Sequence, residues 1–355
     1  MSISRSGTSQ WACRKLDNNE QRHVVLWRNM YDPTGADQLR QAGCRVTIIG
    51  ASDDDKLPEA LADARALWVR YPQKVTPQVL DAAPKLQVVS TSGFGYDNID
   101  IDAATERGIL VVNQRGFGRI PVSEHTVMLM LALARRFTWS EGATRDGTGW
   151  EKRTDYPIFE LGGKTVGIVG LGYIGSELAR KLRIGFGCNV IGFDPYVDPR
   201  IPNLLHITRV SSLDEMLPQV RFLCLCLELT AETKNFIGAK ELAKLPKDAY
   251  VVNTSRGGVL DLEALTSALE AGQIAGAALD VFQPEPLSPT HRLFKMSNVI
   301  VTPHNAGLTT ETNERSTRSA VEQMLAAMAG NMPAFPKNPQ AWERAKSRRH
   351  GLVHA

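Results

Sequence analysis

The chain has 355 residues, 43% of them hydrophobic and 22% charged, with a formal net charge of +3. These are the proportions of a globular protein with room for two domains, which excludes a disordered or fibrous chain; so small a positive balance, with no basic run inside the folded part, gives no argument for a nucleic-acid partner, and none is expected. The longest apolar run, 127–134, falls far short of the ~20 residues of a membrane span, and the polar N-terminus has no apolar signal core, so no membrane partner is expected.

Residues 1–22 are polar and aperiodic and read as a flexible extension. Beyond them, short apolar runs alternate with helical stretches. Residues 24–27, 46–49, 66–69, 86–91 and 110–112 read as strands, and 34–42, 57–64, 77–83 and 101–107 as helices. Such alternation implies a parallel sheet covered by helices on both faces, here one doubly wound domain of five strands. Residues 122–137 read as a long apolar helix ending in Arg135-Arg136 and leading to a second domain. Residues 145–157 are polar, with two glycines, and read as a loop or flap.

The stretch 164–195 organises the rest. An apolar β-rich run at 165–169 leads directly into Gly170-Leu171-Gly172-Tyr173-Ile174-Gly175; a helical pattern follows at 177–186 and stops at Gly187; a second apolar run at 190–193 ends in Asp194-Pro195. This is a strand, a glycine turn, a helix and a strand with an acid at its tip. Gly170 permits the tight turn, Gly172 lets backbone N–H groups approach a pyrophosphate at the helix N-terminus, and Gly175 lets helix and strand pack closely. Asp194 comes about 20 residues after the turn, where an acid hydrogen-bonds the adenosine ribose and repels a 2′-phosphate. The expected cofactor is therefore NAD rather than NADP.

After Asp194, residues 222–227, 249–253, 277–281 and 299–302 read as strands, with helices at 213–217, 239–245 and 261–271 and a closing helix at 309–329. The tail beyond Pro333 contains prolines, turns basic over 344–350, and reads as a solvated, partly mobile end. The five cysteines (Cys13, Cys44, Cys188, Cys224, Cys226) show neither a zinc spacing nor a disulfide framework, so no metal is expected and a reducing cytoplasm is. Cys224 and Cys226 share one face of an apolar strand and read as buried thiols.

In an open parallel sheet, ligands bind beyond the carboxyl ends of the strands. Arg256 follows the strand 249–253, Glu285 follows 277–281, and His304 follows 299–302. Alone, they also fit a surface ion pair, a solvated loop acid and a capping histidine. Together, beside a dinucleotide turn, they suit hydride transfer to a 2-oxo acid, which needs a hydride on carbon and a proton on oxygen. His304 is the acid/base, Glu285 the carboxylate that fixes its tautomer and favours the imidazolium, and Arg256 the planar fork that grips the substrate carboxylate. Asp280 ends its strand where a nicotinamide carboxamide would lie; a turn-capping aspartate is the alternative.

These segments resemble the D-isomer-specific 2-hydroxyacid dehydrogenases. The resemblance runs from about Leu67 to about Ala329 and rests on SGFGYDNID at 92–100, VSEHT at 122–126, the glycine turn with Asp194, VNTSRGGV at 252–259, ALDVFQPEP at 278–286 and TPHNAG at 302–307. It implies two Rossmann-like and flavodoxin-like α/β domains with the active site in the cleft between them. It also implies a discontinuous substrate domain (23–118 plus 309–336), an NAD domain (119–308), a basic C-terminal tail (337–355) and a homodimer in the cytoplasm. By the same resemblance Arg256, Glu285 and His304 take their roles, backbone at Gly93, Phe94 and Gly95 meets the substrate carboxylate, and Tyr173, Ile174, Asp194, Thr254, Ser255, Arg256, Asp280, His304 and Gly307 contact NAD. Related formate dehydrogenases carry glutamine where this chain has Glu285.

Within the family, VRYPQKVT at 69–76 and KLQVV at 85–89 are similar to phosphoglycerate dehydrogenases, which places Arg70 as a phosphate contact. Thr91 stands where that subgroup often has another arginine, and the chain ends without the regulatory domain many members carry. QRGFGRIP at 114–121 replaces the family's usual Thr-Pro, leaving Arg115 and Arg119 either to a second anionic group on the substrate or to solvent. Side chains near Arg70, Tyr71, Phe94 and Leu308 are expected to shape the pocket. The substrate is left open among glyoxylate, hydroxypyruvate, phosphohydroxypyruvate and bulkier 2-oxo acids. The reading from another class is an NADH-sensing corepressor, which shares fold and residues.

Overall fold

The computed structural model describes residues 22–155 and 157–349. Apart from Arg22, the expected N-terminal extension lies outside the described residues, as do Cys13 and the last residues of the basic tail. Among the described residues there are two parallel sheets. The first joins β1 (His23–Trp27), β2 (Arg45–Ile49), β3 (Ala66–Val69), β4 (Val88–Thr91) and β5 (Leu110–Val112) in the order β2-β1-β3-β4-β5. The second joins β6 (Thr165–Val169), β7 (Asn189–Phe193), β8 (Thr208–Arg209), β9 (Phe222–Leu225), β10 (Tyr250–Asn253), β11 (Gly276–Leu279) and β12 (Val299–Val301) in the order β12-β11-β10-β9-β6-β7-β8. All the pairings are parallel. The chain starts each sheet in the middle and reverses direction, which opens a crevice at the carboxyl ends of β1 and β3 and of β6 and β9.

Strands such as VVLW, ALWV and FLCL are apolar throughout because helices cover both sheet faces. Alternate side chains go to opposite sides: Val24, Leu26 and Trp68 to one core, Val25, Leu67 and Val69 to another. The first of these cores is closed by Ala320, Val321, Met324 and Met328 of the helix Thr310–Met328, which follows the second sheet in sequence but packs on the first.

The structure departs from the sequence expectations in several places. The apolar helix begins a turn early, at Arg119–Ala134, because Pro121 sits in the first turn, where a missing N–H costs nothing. It then breaks at Arg136 (φ 48°) and restarts as Phe137–Arg145, and the expected loop after it contains the helical turn Gly149–Lys152. The helix after the glycine turn spans Tyr173–Arg180 and widens into a π-turn over Lys181–Gly185. Finally, the tail is not a solvated end over its described length. Fully buried Asn338 accepts from the Val111 N–H (2.8 Å) and donates to the Ile109 carbonyl (2.9 Å), and Pro336 bridges Val112. β5 is an edge strand with unpaired backbone groups, and the tail covers that edge.

Candidate active site

The glycine turn is built as its composition demands. Gly170 turns at φ 94°, and a Cβ there would lie 2.6 Å from the Cys226 carbonyl oxygen; one at Gly175 would lie 1.9 Å from the Gly170 oxygen. A Cβ at Gly172 would meet nothing within 4 Å, so this glycine opens onto free space at the N-terminus of Tyr173–Arg180. That is the cradle a pyrophosphate needs. Asp194 at the end of β7 accepts from the Leu171 N–H (2.8 Å) and the Tyr196 N–H (2.9 Å), which ties the acid to the glycine turn. Tyr173 is exposed, and the Arg115 guanidinium lies 5.4 Å over its ring. Arg115 thus faces the dinucleotide turn. Arg119 faces Glu177, whose carboxyl is held below its ordinary range chiefly by a hydrogen bond from Arg180, with Arg119 adding to the effect.

A cavity between the two sheets receives residues from both. From the first come Gly93, Phe94 and Gly95, just past β4; from the second come Ile174, Thr254, Ser255, Arg256, Asp280, His304 and Gly307. The turn after β4 is pinned by its carbonyls. The Thr91 hydroxyl (2.6 Å) and the Gln114 N–H (2.9 Å) donate to Gly93 O, and the Asn113 amide donates to Phe94 O (2.6 Å). The second sheet's strands are shorter than expected at this end: β9 stops at Leu225 and β11 at Leu279, so the following residues turn into the cavity wall. Cys226, expected as a buried thiol, is for this reason only half-buried, whereas Cys224 is buried.

His304 Nδ1 lies 2.7 Å from Glu285 Oε2, and Glu285 Oε1 accepts the Phe282 N–H at 2.7 Å. The carboxylate is thereby oriented from one side and the imidazole from the other, leaving Nε2 as the nitrogen for substrate. His304 adopts φ 53°, a left-handed conformation, and its ring packs at 5.4 Å from that of Tyr71. Asp280, 1% exposed, bonds the loop that carries His304: it accepts from the Thr302 hydroxyl (2.5 Å), the Asn305 N–H (3.0 Å) and the Ala306 N–H (3.0 Å). His125 Nε2 lies 3.1 Å from the same Thr302 hydroxyl, and Thr126 bonds Thr254 at 2.8 Å, so the interdomain helix braces both loops.

Arg256 reaches across the cleft. Its Nε donates to Asp97 (2.9 Å) and its Nη1 to the Ser255 carbonyl (2.8 Å). A Cβ on Gly95 would lie 1.5 Å from Nη2, so the guanidinium occupies the room that glycine leaves. Gly257 is equally constrained, since a Cβ there would lie 2.0 Å from the Phe282 carbonyl. Arg70 is not brought to the cavity: its Nη1 donates to the Asn29 carbonyl (3.0 Å) and its guanidinium lies 5.0 Å over the Tyr31 ring. Sequence reasoning missed Asp97, Thr302, His125 and Tyr31. The first three act across loops or lobes, although each lay inside a recognised motif, at 92–100, 302–307 and 122–126; Tyr31 lay in none.

This geometry matches known proteins. Residues 127–306 fit the family model described as D-isomer specific 2-hydroxyacid dehydrogenase, NAD binding domain. The chain is similar to a D-3-phosphoglycerate dehydrogenase of Methanocaldococcus jannaschii, 38% identical over 84% of this chain but only 57% of that protein, so it spans little more than half of that relative. It is similar to a glyoxylate reductase of Thermofilum pendens, 40% identical over 87% of this chain and 92% of that one. Among solved structures, an NADPH-dependent glyoxylate/hydroxypyruvate reductase of Sinorhizobium meliloti superposes with TM-score 0.81, 28% identity and coverage of 90% and 98%. With the glycine turn, the acid at the tip of β7 and the shared architecture, these likenesses place the chain in the family of D-isomer-specific 2-hydroxyacid dehydrogenases.

Proposed function

We propose that the protein is an NAD-dependent dehydrogenase that interconverts a D-2-hydroxy acid and its 2-oxo acid. The observation that carries this is a single cavity bordered by Arg256, by His304 backed by Glu285, and by the Gly93–Gly95 backbone, next to the glycine turn. Gly170, Gly172, Tyr173, Ile174 and Gly175 hold the pyrophosphate, Asp194 the adenosine ribose, and Thr254, Ser255, Asp280 and Gly307 the nicotinamide half. Bound NAD(H) accepts or supplies the hydride at the substrate's second carbon.

The chain's own residues do the rest. Arg256 binds the substrate carboxylate with its fork and polarises the neighbouring carbonyl. His304 gives a proton from Nε2 to the forming alkoxide, or takes it in the reverse direction. Glu285, on Nδ1, keeps the ring oriented and stabilises its cationic form. Asp280 and Thr302 hold the backbone on which His304 sits.

The working units of this reading are a substrate lobe of residues 23–118 plus 309–336 and a dinucleotide lobe of 119–308. The exposed apolar side chains Phe137, Trp150 and Ile158, clustered in sequence on the dinucleotide lobe, support pairing into a homodimer. The unpaired thiols of Cys44, Cys188, Cys224 and Cys226 support work in a reducing cytoplasm. Among the described residues, no helix is long and apolar enough to cross a membrane.

The test is NADH consumption with a panel of 2-oxo acids, NADPH as the cofactor control, and Arg256→Ala. The expected result is turnover with NADH in preference to NADPH, lost in the variant while NADH binding persists. Undiminished activity of Arg256→Ala toward every acid in the panel would refute the reading.

A further inference from the structure

Beyond His304 and Arg256 the cavity continues toward the first sheet. Tyr31, Val69, Tyr71, Phe94 and Leu308 line it. Among the described residues, the basic side chains of the whole lining are Arg256 and His304. Both are committed: Arg256 pairs with Asp97 at 2.9 Å, and His304 with Glu285 at 2.7 Å.

The neighbouring cations each contact a neutral side chain of the lining without themselves lining the cavity. The Arg70 guanidinium lies 5.0 Å over the Tyr31 ring and is held by the Asn29 carbonyl. Lys337 lies 4.3 Å over the ring of Tyr96. Arg315 donates to the Thr312 hydroxyl at 3.1 Å. At Tyr71 the carboxylates outweigh the nearby guanidinium, and at Tyr31 the reverse holds. The Tyr71 hydroxyl is pushed up first by burial and then by Glu285 and Asp97, with Arg256 opposing; that of Tyr31 is raised by burial, with Arg70 opposing more strongly than Glu285 adds.

We propose that the site accepts acids whose distal group is uncharged, alkyl, aryl or hydroxymethyl, and discriminates against a phosphate or second carboxylate at that position, because Tyr31, Tyr71, Phe94 and Leu308 wall the far end and, among the described residues, no basic side chain besides Arg256 and His304 lines the cavity. This rests on the dehydrogenase reading. An anion placed there leaves water for phenol hydroxyls near two carboxylates, and no counter-charge replaces its hydration. An apolar group buries area against aromatic faces, and a hydroxymethyl group finds hydroxyl partners.

The experiment compares matched pairs with NADH: hydroxypyruvate against phosphohydroxypyruvate, and 2-oxopentanoate against 2-oxoglutarate, in the wild-type chain and in Arg70→Ala. The neutral member of each pair is expected to have a kcat/KM at least about 100-fold higher, with the ratio unmoved in Arg70→Ala. Equal or better turnover of the charged members would overturn the inference and leave the dehydrogenase reading standing. A selective loss of phosphohydroxypyruvate turnover in Arg70→Ala would also overturn it, by showing that this guanidinium enters the cavity. If none of the four acids, nor any acid in the wider panel, is reduced while NADH still binds, the dehydrogenase reading itself falls and takes this inference with it.

Discussion

Replacing Glu285 by glutamine removes a charge while keeping the side chain's shape. Both carboxylate oxygens are in use: Oε1 accepts the Phe282 N–H and Oε2 faces His304 Nδ1, each at 2.7 Å. An amide has one accepting end. If its oxygen stays on Phe282, its NH2 meets Nδ1 and the ring can no longer carry protons on both nitrogens. If the amide flips, two donors confront each other at Phe282. Either way one charge-assisted hydrogen bond is lost at a carboxylate only 12% exposed, so solvent does little to replace it. Such a bond is worth about 1.5–3 kcal/mol, which predicts a kcat/KM lowered about 10- to 150-fold. Steady-state NADH absorbance with the best 2-oxo acid measures it, and NADH binding followed by fluorescence is expected to be unchanged. If Glu285 works through His304, adding Glu285→Gln to His304→Gln costs almost nothing further. Wild-type rates in the single variant, or fully additive losses in the double variant, would refute the reasoning.

Two other outcomes separate structural from binding roles. Gly172→Ala keeps the thermal midpoint and loses NADH affinity, because its Cβ enters open space where the pyrophosphate binds; Gly175→Ala lowers both, because its Cβ collides with the Gly170 carbonyl. Equal Tm losses in the two variants, read by thermal denaturation, would contradict this. Burial, partly opposed by Asp280, holds the His125 imidazole below its ordinary 6.5. The folded state therefore binds fewer protons than the unfolded chain. The contribution of neutral His125 is fully present above pH 6.5 and shrinks as pH falls below it. Between pH 7 and 5, His125→Gln is expected to lose less stability than wild type in urea titrations; an identical loss would sink the assignment.

Much of this was legible in the sequence, for physical reasons. Apolar runs such as 24–27 and 222–225 leave no polar face, so they mark strands sandwiched between helices. The glycines at 170 and 175 sit where any Cβ meets backbone, so the turn follows from residue type alone. Arg256, Glu285 and His304 could be placed near one edge because each follows a parallel strand. Their partners could not. Asp97 belongs to the other sheet, and nothing local marks it as the group that meets Arg256 at 2.9 Å. Arg70 shows the converse: its motif placed it at the substrate, but the direction of one side chain at the end of β3 turned it toward Asn29. The tail misled because basic, proline-containing composition reads as solvated, whereas Asn338 supplies the acceptor and donors that the β5 edge lacks.

The contact between Arg256 and Asp97 joins the lobes at the place where substrate carboxylate is proposed to bind. Arg256 follows β10 of one sheet and Asp97 follows β4 of the other, and the pair is about one quarter exposed on each side. A partly exposed ion pair contributes little net stability, so a second carboxylate can share or displace it at small cost. The same guanidinium fills the space left by Gly95, which brings it against the backbone turn assigned to the other side of that carboxylate. Asp97 therefore keeps the fork aimed across the cleft when the lobes are together. The proposed carboxylate clamp is thus shared between the two sheets, with Arg256 after β10 and the Gly93–Gly95 turn after β4.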